Sequence, residues 1–183
     1  KGENFCVWLQ LKSIADIGII GMPNSGKSTL LSSITSAKPK IANYPFTTIN
    51  PNLGVVTYDN KEVTLADIPG LIEGAHEGIG LGDKFLRHIE RCKSLLHLID
   101  ITNDNLHENY SKVRKELFKY GNKLVKKNEI IVFNKIDMID QEEVDKKIES
   151  FRKKNNKTIF AISAQKHTGL KNFKKKLISY GNK

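Results

Sequence analysis

The chain has 183 residues, of which 39% are hydrophobic and 27% charged, and this composition is typical of one soluble globular domain. No apolar run approaches the roughly 20 residues that cross a bilayer, and no signal-peptide pattern is present, so we expect no contact with a membrane. The two cysteines, Cys6 and Cys92, lie in no CxxC motif or Cys/His cluster. This usage fits a reducing cytosol and argues against a disulfide framework or a zinc site.

The formal net charge of +10 is unevenly distributed along the chain. Residues 1–104 contain 10 basic and 11 acidic side chains, whereas residues 105–183 contain 20 and 9. A basic half can indicate contact with nucleic acid. Lysine-coated helices are also common on soluble proteins, so the charge by itself leaves both interpretations open.

The apolar patterns predict strands that alternate with helices. Strands are expected at residues 15–21, 52–58, 62–67, 94–100, 129–134 and 158–163, and helices at 27–34, 83–92, 106–120, 142–154 and 170–179. The turn pair Asp59-Asn60 predicts an antiparallel hairpin between the second and third strands. The alternation predicts an α/β domain with a mixed, mainly parallel six-stranded sheet and helices on both faces.

The segment GMPNSGKS matches the pattern G-x-x-x-x-G-K-[ST] between a predicted strand and a predicted helix. Its two glycines let the backbone turn without side chains, so that the amides of residues 24–29 point inward at a helix N-terminus, where an anion binds. Lys27 would supply a positive charge to the β- and γ-phosphates, and Ser28 would supply a hydroxyl to Mg²⁺. The segment predicts a nucleoside-triphosphate site comprising Gly21, Met22, Pro23, Asn24, Ser25, Gly26, Lys27, Ser28 and Thr29.

The motif NKID indicates which base is bound. The carboxylate of Asp137 can accept hydrogen bonds from the ring N–H and the exocyclic amine of guanine, an arrangement that adenine lacks. Lys135 would lie along the base, Asn134 would link neighbouring loops, and the backbone N–H of Ala164 would serve the guanine oxygen. The predicted base pocket comprises Asn134, Lys135, Asp137, Met138, Ser163, Ala164 and Gln165.

Two long irregular regions, 36–51 and 68–82, are expected to be functional loops. Asp67 would act on Mg²⁺ through water, and Gly70 would offer its N–H to the γ-phosphate. A threonine hydroxyl from the first loop would complete the Mg²⁺ shell, with Thr47 and Thr48 as candidates. Loops that are ordered only while the γ-phosphate is bound form a switch. The residues predicted here are Phe46, Thr47, Thr48, Asp67, Ile68, Pro69 and Gly70.

Five motifs together resemble the Obg/CgtA GTPases: GMPNSGKSTLLS, NYPFTTINPNLGVV, DIPGLIEGAHEGIGLGDKFLRHIER, NKID and SA. The resemblance runs from about Trp8 to the end of the chain, and GLGDKFLRHIER is far more specific than a general GTPase pattern. It implies a Ras-like P-loop G domain over residues 14–183, preceded at 1–13 by a linker or the remnant of another domain. It also implies Mg²⁺-dependent GTP hydrolysis in the cytoplasm, assembly of the large ribosomal subunit, and a link to the stringent-response nucleotide ppGpp.

The resemblance also predicts which partners the chain can bind by itself. The chain begins at Lys1 rather than Met, so we expect it to be part of a longer protein. The family's glycine-rich N-terminal domain, used in ribosome contact, has no counterpart in these residues. We therefore expect this chain to bind GTP and GDP as a monomer, and contact with the ribosome or its rRNA to need the full-length protein.

The resemblance has consequences for catalysis as well. Leu71 stands where Ras carries a Gln that orients the attacking water, and a leucine can neither donate nor accept. The resemblance favours Thr48 over Thr47 for Mg²⁺ and implies that Asn24 helps to hold a K⁺ that replaces an arginine finger. His76 is expected to be exposed rather than catalytic. Slow intrinsic hydrolysis follows, with a catalytic set of Lys27, Thr48, Gly70 and Asn24.

Three other functions remain open. An ATP-using relative is disfavoured by the intact NKID motif, and competition between GTP and ATP would identify it. A nucleotide-gated scaffold with incidental turnover is slightly favoured by Leu71, and stimulation of hydrolysis by a partner would count against it. Direct RNA binding through the lysine-rich helices at 142–154 and 170–176 would appear as steep salt dependence.

Overall fold

The computed structural model describes Gly2 and residues 15–37, 39–41, 51–67, 92–120, 122–155 and 157–181. The predicted helix at 83–92 lies almost entirely outside these residues. So do the predicted site residues Phe46, Thr47, Thr48, Ile68, Pro69 and Gly70, together with Leu71 and His76. None of the helices within the described part is both long and apolar enough to cross a bilayer.

The described residues form one mixed sheet. Its strands are β1 (Ile17–Ile20), β2 (Lys40–Ile41), β3 (Asn52–Tyr58), β4 (Lys61–Asp67), β5 (Ser94–Asp100), β6 (Asn128–Asn134) and β7 (Ile159–Ala161). Their order is β2-β3-β4-β1-β5-β6-β7. The strands from β4 to β7 in that order are parallel, whereas β3 pairs antiparallel with both β2 and β4. The predicted fold class is confirmed.

The six expected strands are all present, and a seventh, β2, joins the sheet edge beside β3. This strand has two residues, which is too short to show the alternating apolar pattern that identifies a strand in a sequence. The helices of the described part are α1 (Lys27–Ile34), α2 (Leu106–Tyr120), α3 (Asn122–Val125), α4 (Gln141–Lys154) and α5 (Leu170–Gly181), with a 3₁₀ turn at Ile136–Met138.

The hairpin of β3 and β4 carries a polar side chain to the edge of the sheet where the other strands end. Asp59 and Asn60 both have positive φ angles, 52° and 56°, as a two-residue type I′ turn requires. The register pairs Tyr58 with Lys61 at the turn and Asn52 with Asp67 at the opposite end. Asp67 therefore closes β4 at the carboxyl edge of the parallel strands.

Side chains alternate between two apolar layers, one on each face of the sheet. In β5, Leu96 and Leu98 pack with α1 and α5, whereas Leu95 and Ile99 pack towards α2 and α4. Strands that are buried on both faces lack the polar alternation of an exposed sheet. This explains why β1, β5 and β6 appear in the sequence as nearly continuous apolar runs.

A buried ionic cluster lies between β5, β6 and α2. The Nδ1 of His97 is 2.9 Å from Oε1 of Glu129, while Tyr110 and Lys157 both donate to Oε2 of the same carboxylate. Arg114 lies 3.5 Å from that oxygen. Burial lowers the pKa of His97. Burial opposes ionisation of Glu129, but the hydrogen bonds from His97 and Lys157 hold its pKa at about 2.

This cluster makes the stability of the fold sensitive to acid. In the unfolded chain, His97 gains a proton as the pH falls below its ordinary pKa of 6.5. In the folded chain the buried ring stays neutral to a lower pH. The unfolded state therefore binds more protons, and the free energy of unfolding decreases as the pH falls. Glu129 adds a second loss from pH 4.5 down to about 2. Between pH 7 and 5 we expect His97 to contribute a decrease of up to about 1.4 kcal/mol per pH unit in the free energy of unfolding.

Urea unfolding at several pH values measures this decrease directly. His97→Gln should reduce the pH dependence above pH 5 relative to wild type. An equal slope in wild type and His97→Gln would contradict the assignment to the buried imidazole.

Candidate nucleotide-binding site

The loop between β1 and α1 has the backbone shape of an anion-binding nest. Asn24 and Gly26 have positive φ angles of 60° and 93° on either side of Ser25. The first hydrogen bond of α1 runs from the N–H of Leu30 to the carbonyl oxygen of Gly26 at 2.8 Å. The amides of residues 27–29 therefore precede the helical ladder, at the end where the helix dipole favours negative charge.

Both loop glycines occupy positions at which a side chain would collide with a neighbouring strand. A Cβ at Gly21 would lie 2.2 Å from the carbonyl oxygen of Leu98, and a Cβ at Gly26 would lie 2.4 Å from Nδ2 of Asn134. Real Cβ atoms do not approach other atoms so closely. The absence of side chains thus allows the loop to lie directly against the ends of β5 and β6.

The cationic side chain of the loop lies across the loop itself. The ammonium group of Lys27 donates to the carbonyl oxygens of Gly21 and Met22, at 3.1 Å each. Lys27 is also the first residue of α1, so its charge adds to the positive potential of the helix N-terminus. This arrangement suits the binding of a polyphosphate.

A hydroxyl and a carboxylate meet beside the loop. The Oγ of Ser28 donates to Oδ2 of Asp67 at 2.7 Å. Asp67 is only 2% exposed, and its Oδ1 has no hydrogen-bond partner among the described residues. An unsatisfied buried oxygen next to a second oxygen ligand is what a hard divalent cation requires, so the residues present fit Mg²⁺.

Asn134 joins the two ends of the site. Its Nδ2 donates to the carbonyl oxygen of Ser25 at 2.9 Å, and its Oδ1 accepts from the N–H of Ala164 at 3.0 Å. The predicted linking role of Asn134 therefore has a specific geometry. The N–H of Ala164 was expected to serve the guanine oxygen, whereas here it donates to Asn134. Its contact with guanine stays a prediction.

Lys135 is held in place by a carboxylate from the neighbouring strand. It adopts a positive φ of 68°, and its Nζ lies 2.6 Å from Oδ2 of Asp100. Burial opposes ionisation of Asp100, but hydrogen bonds from Lys135 and Thr102 outweigh it and lower the pKa of the carboxyl. Asp137 lies in the 3₁₀ turn that follows, with its side chain exposed to solvent.

Asp100 contacts Lys135 of the predicted base pocket and was not among the predicted residues. It is paired in register with Asn134, so it closes β5 beside the strand that leads into NKID. Two of its hydrogen bonds come from Thr102, through the backbone N–H at 3.0 Å and the hydroxyl at 2.7 Å. A carboxylate at the end of a buried apolar run was the available signal, because ligands bind at the carboxyl ends of parallel strands.

The remaining predicted site residues differ in how far they are exposed to solvent. Ser163 is buried and accepts at Oγ from the N–H of Lys166 at 3.0 Å. Met22 is half-buried against the apolar layer that contains Leu95. Met138 is 65% exposed beside Asp137. The other predicted residues with exposed side chains are Pro23, Asn24, Ser28, Thr29 and Gln165.

Comparisons with known proteins identify the family of the chain. The chain matches the family model described as "50S ribosome-binding GTPase" over residues 16–135. It is 57% identical to GTPase Obg of Pelagibacter ubique (strain HTCC1062) over 179 residues, which cover 98% of this chain and 55% of that protein. The chain thus spans about half the length of this curated relative.

Solved structures share the fold. A crystal structure of a single-residue variant of Aquifex aeolicus Era bound to GDP·AlF4⁻ superimposes with a TM-score of 0.65 at 27% identity, covering 92% of this chain and 57% of that one. The G domain of the T. maritima FeoB iron transporter gives a TM-score of 0.64 at 23% identity, covering 90% and 96%. The chain therefore belongs to the 50S ribosome-binding GTPase family, as a member of the Obg type that its motifs resemble.

Proposed function

We propose that this chain binds GTP with Mg²⁺ and hydrolyses it slowly, as a molecular switch. The observation that carries the proposal is the hydrogen bond from Asn134 to the carbonyl oxygen of Ser25. It attaches the guanine-reading motif to the phosphate-binding loop, so that one nucleotide can reach both. ATP is disfavoured, because adenine offers no matching pair of N–H donors to the carboxylate of Asp137.

The chemistry would depend on positioning and charge. Ser28 would hold Mg²⁺ directly and Asp67 would hold it through water, with Thr48 completing its shell. The bound ion would offset charge on the phosphate oxygens. Lys27 would bind the β- and γ-phosphates, and the amide of Gly70 would contact the γ-phosphate. Leu71 cannot orient water, so the intrinsic rate would be low and backbone groups, switch side chains or a partner would place the nucleophile.

The cellular role that we propose is in assembly of the large ribosomal subunit. The description of the matching family names 50S ribosome binding, and the net charge of +10 favours a polyanionic partner. Such a role places the full-length protein in the cytoplasm. We keep ppGpp as a candidate ligand of the same pocket, because it presents the same guanine and phosphate groups as GDP.

Phosphate release from GTP and from ATP tests the proposal. With Mg²⁺ present, GTP turnover should exceed ATP turnover, and it should be faster in KCl than in NaCl at equal ionic strength if Asn24 helps to hold K⁺. Asn24→Gly removes the amide but keeps the left-handed backbone accessible, so it should abolish the difference between the salts. Asn172→Ala, on an exposed position of α5, is the matched control.

The outcomes separate two parts of the proposal. Equal turnover of GTP and ATP would contradict the base assignment at Asp137. Equal GTP turnover in both salts would instead remove the K⁺ site from this chain while leaving the GTPase assignment intact.

A further inference from the structure

Helix α5 differs in charge from the other long helices of the described part. It contains four lysines and no acidic residue: Lys171, Lys174, Lys175 and Lys176. In α4, Lys146, Lys147 and Lys153 each pair with a glutamate one turn earlier, at 2.7, 2.9 and 3.3 Å. In α2, Lys112 pairs with Glu108 in the same way. No such partner is found for the α5 lysines among the described residues.

The α5 lysines do not stabilise their own helix. Lys171 lies in the first turn, where the helix dipole disfavours a cation, and it repels Lys174 and Lys175 at spacings of three and four residues. The helix is held instead by a buried apolar face of Leu170, Phe173, Leu177 and Ile178. An uncompensated cluster of like charges at a cost to helix stability indicates a surface that meets an anion.

A cleft lies where α5 meets the turn between β3 and β4. Its volume is about 320 Å³, and it is lined by Tyr58, Asp59, Lys61, Lys175, Ile178 and Ser179. Lys171 lies one turn before Lys175 on the same face of α5, about 6 Å away along the helix axis, and so extends the line of positive charge. We call Tyr58, Lys61, Lys171 and Lys175 the basic cleft. Asp59 is the acidic residue in its lining, so positive charge predominates.

We propose that the basic cleft binds a segment of single-stranded RNA. The three lysines would contact successive phosphates. The ring of Tyr58 is half-buried against the apolar core and lines the cleft, so a base would stack on the part of the ring that faces the cleft. An acidic peptide would use the lysines but would gain less from the ring. This proposal rests on the ribosomal part of the proposed function and identifies where RNA would be held.

The position of the cleft separates it from the nucleotide site. Tyr58 and Lys61 pair at the turn of the hairpin, whereas Asp67 lies at the opposite end of the same hairpin. The part of the basic cleft formed by Tyr58 and Lys61 therefore lies at the end of the hairpin opposite Asp67. RNA and nucleotide can bind at the same time, and substitutions in the basic cleft should leave GTP turnover unchanged.

The test uses fluorescence anisotropy with a labelled poly(U) RNA of about 20 nucleotides, enough to span a single-strand site, over a range of KCl concentrations. The variant is the triple substitution Lys61→Gln, Lys171→Gln and Lys175→Gln. The matched control is Lys112→Gln, Lys146→Gln and Lys153→Gln, which removes the same net charge from lysines already paired with glutamate. A third variant, Tyr58→Leu, tests base stacking, and poly-glutamate of equal charge tests for an acidic partner.

We expect the basic-cleft triple variant to lose roughly 10-fold or more in RNA affinity and about 2 units of the log–log salt slope, at about 0.7 per phosphate contact. Tyr58→Leu should lose about 5-fold with the slope unchanged. The control triple should stay within about 2-fold of wild type. Phosphate release from GTP should be equal in all variants.

Three results would overturn the proposal: no RNA binding by the wild-type chain, equal losses in both triple variants, or equally tight binding of poly-glutamate. None of them would affect the GTPase assignment, because GTP turnover is measured separately. Conversely, loss of RNA binding in the basic-cleft variant, with no GTP hydrolysis by the wild-type chain, would support the cleft and contradict the intrinsic turnover proposed for this chain.

Discussion

Replacing Asp137 by Asn is expected to weaken GTP binding by about 100-fold or more and to admit xanthosine triphosphate. The carboxylate would accept two hydrogen bonds from guanine, whereas an amide would place a donor against one of those N–H groups. Xanthine carries a carbonyl where guanine carries its amine, so it can accept from the amide. The expected result is an exchange of specificity rather than a simple loss of binding.

The measurement is titration of the chain with fluorescent GTP, followed by competition with xanthosine triphosphate. Asp140→Asn is the matched control, because Asp140 is a nearby carboxylate with no side-chain capping bond. Preference for GTP that survives Asp137→Asn would show that the base is read elsewhere. A similar loss in Asp140→Asn would point to a general effect of charge.

Replacing Asn134 by Ala is expected to lower both stability and nucleotide affinity. The change leaves the carbonyl oxygen of Ser25 and the N–H of Ala164 without a partner, and both residues are almost fully buried. An unsatisfied buried group costs about 1–3 kcal/mol, so the two groups together should cost about 2–6 kcal/mol. For a domain of this size the midpoint of thermal unfolding should fall by about 10 °C.

Thermal unfolding monitored by circular dichroism, with titration of labelled GDP, measures both effects. Asn128→Ala, an exposed asparagine at the opposite end of β6, is the matched control. An unchanged midpoint in Asn134→Ala would mean that the two loops are held together by other contacts. Loss of stability with nucleotide affinity retained would make Asn134 a structural residue alone.

Much of the fold could be predicted because its strands and helices are strongly patterned. The hairpin at Asp59-Asn60 followed from a turn whose two residues tolerate positive φ, and α2 followed from apolar residues at helical spacing. The strand β2 could not be predicted, since two residues carry no period. Its pairing with β3 depends on an available sheet edge, which a local pattern does not encode.

The phosphate loop and NKID were recognisable because each needs a fixed residue type at a fixed spacing. Asp100 was missed because its contribution comes from its register beside Asn134, which depends on the order of the strands. The cluster around Glu129 was missed for a related reason. Its members lie far apart in the chain, and what distinguishes them from surface charges is burial.

The sequence by itself therefore determined the class of fold and the family, and it predicted the phosphate-binding loop and the base-reading motif. These depend on local backbone conformation and on chemistry at short range. The tertiary structure decided which groups meet: Ser28 with Asp67, Asn134 with Ser25 and Ala164, and Lys135 with Asp100. It also distinguished the glutamate-paired lysines of α4 from the lysines of α5, for which no acidic partner is found among the described residues. An ion pair forms only between side chains that lie close together in space.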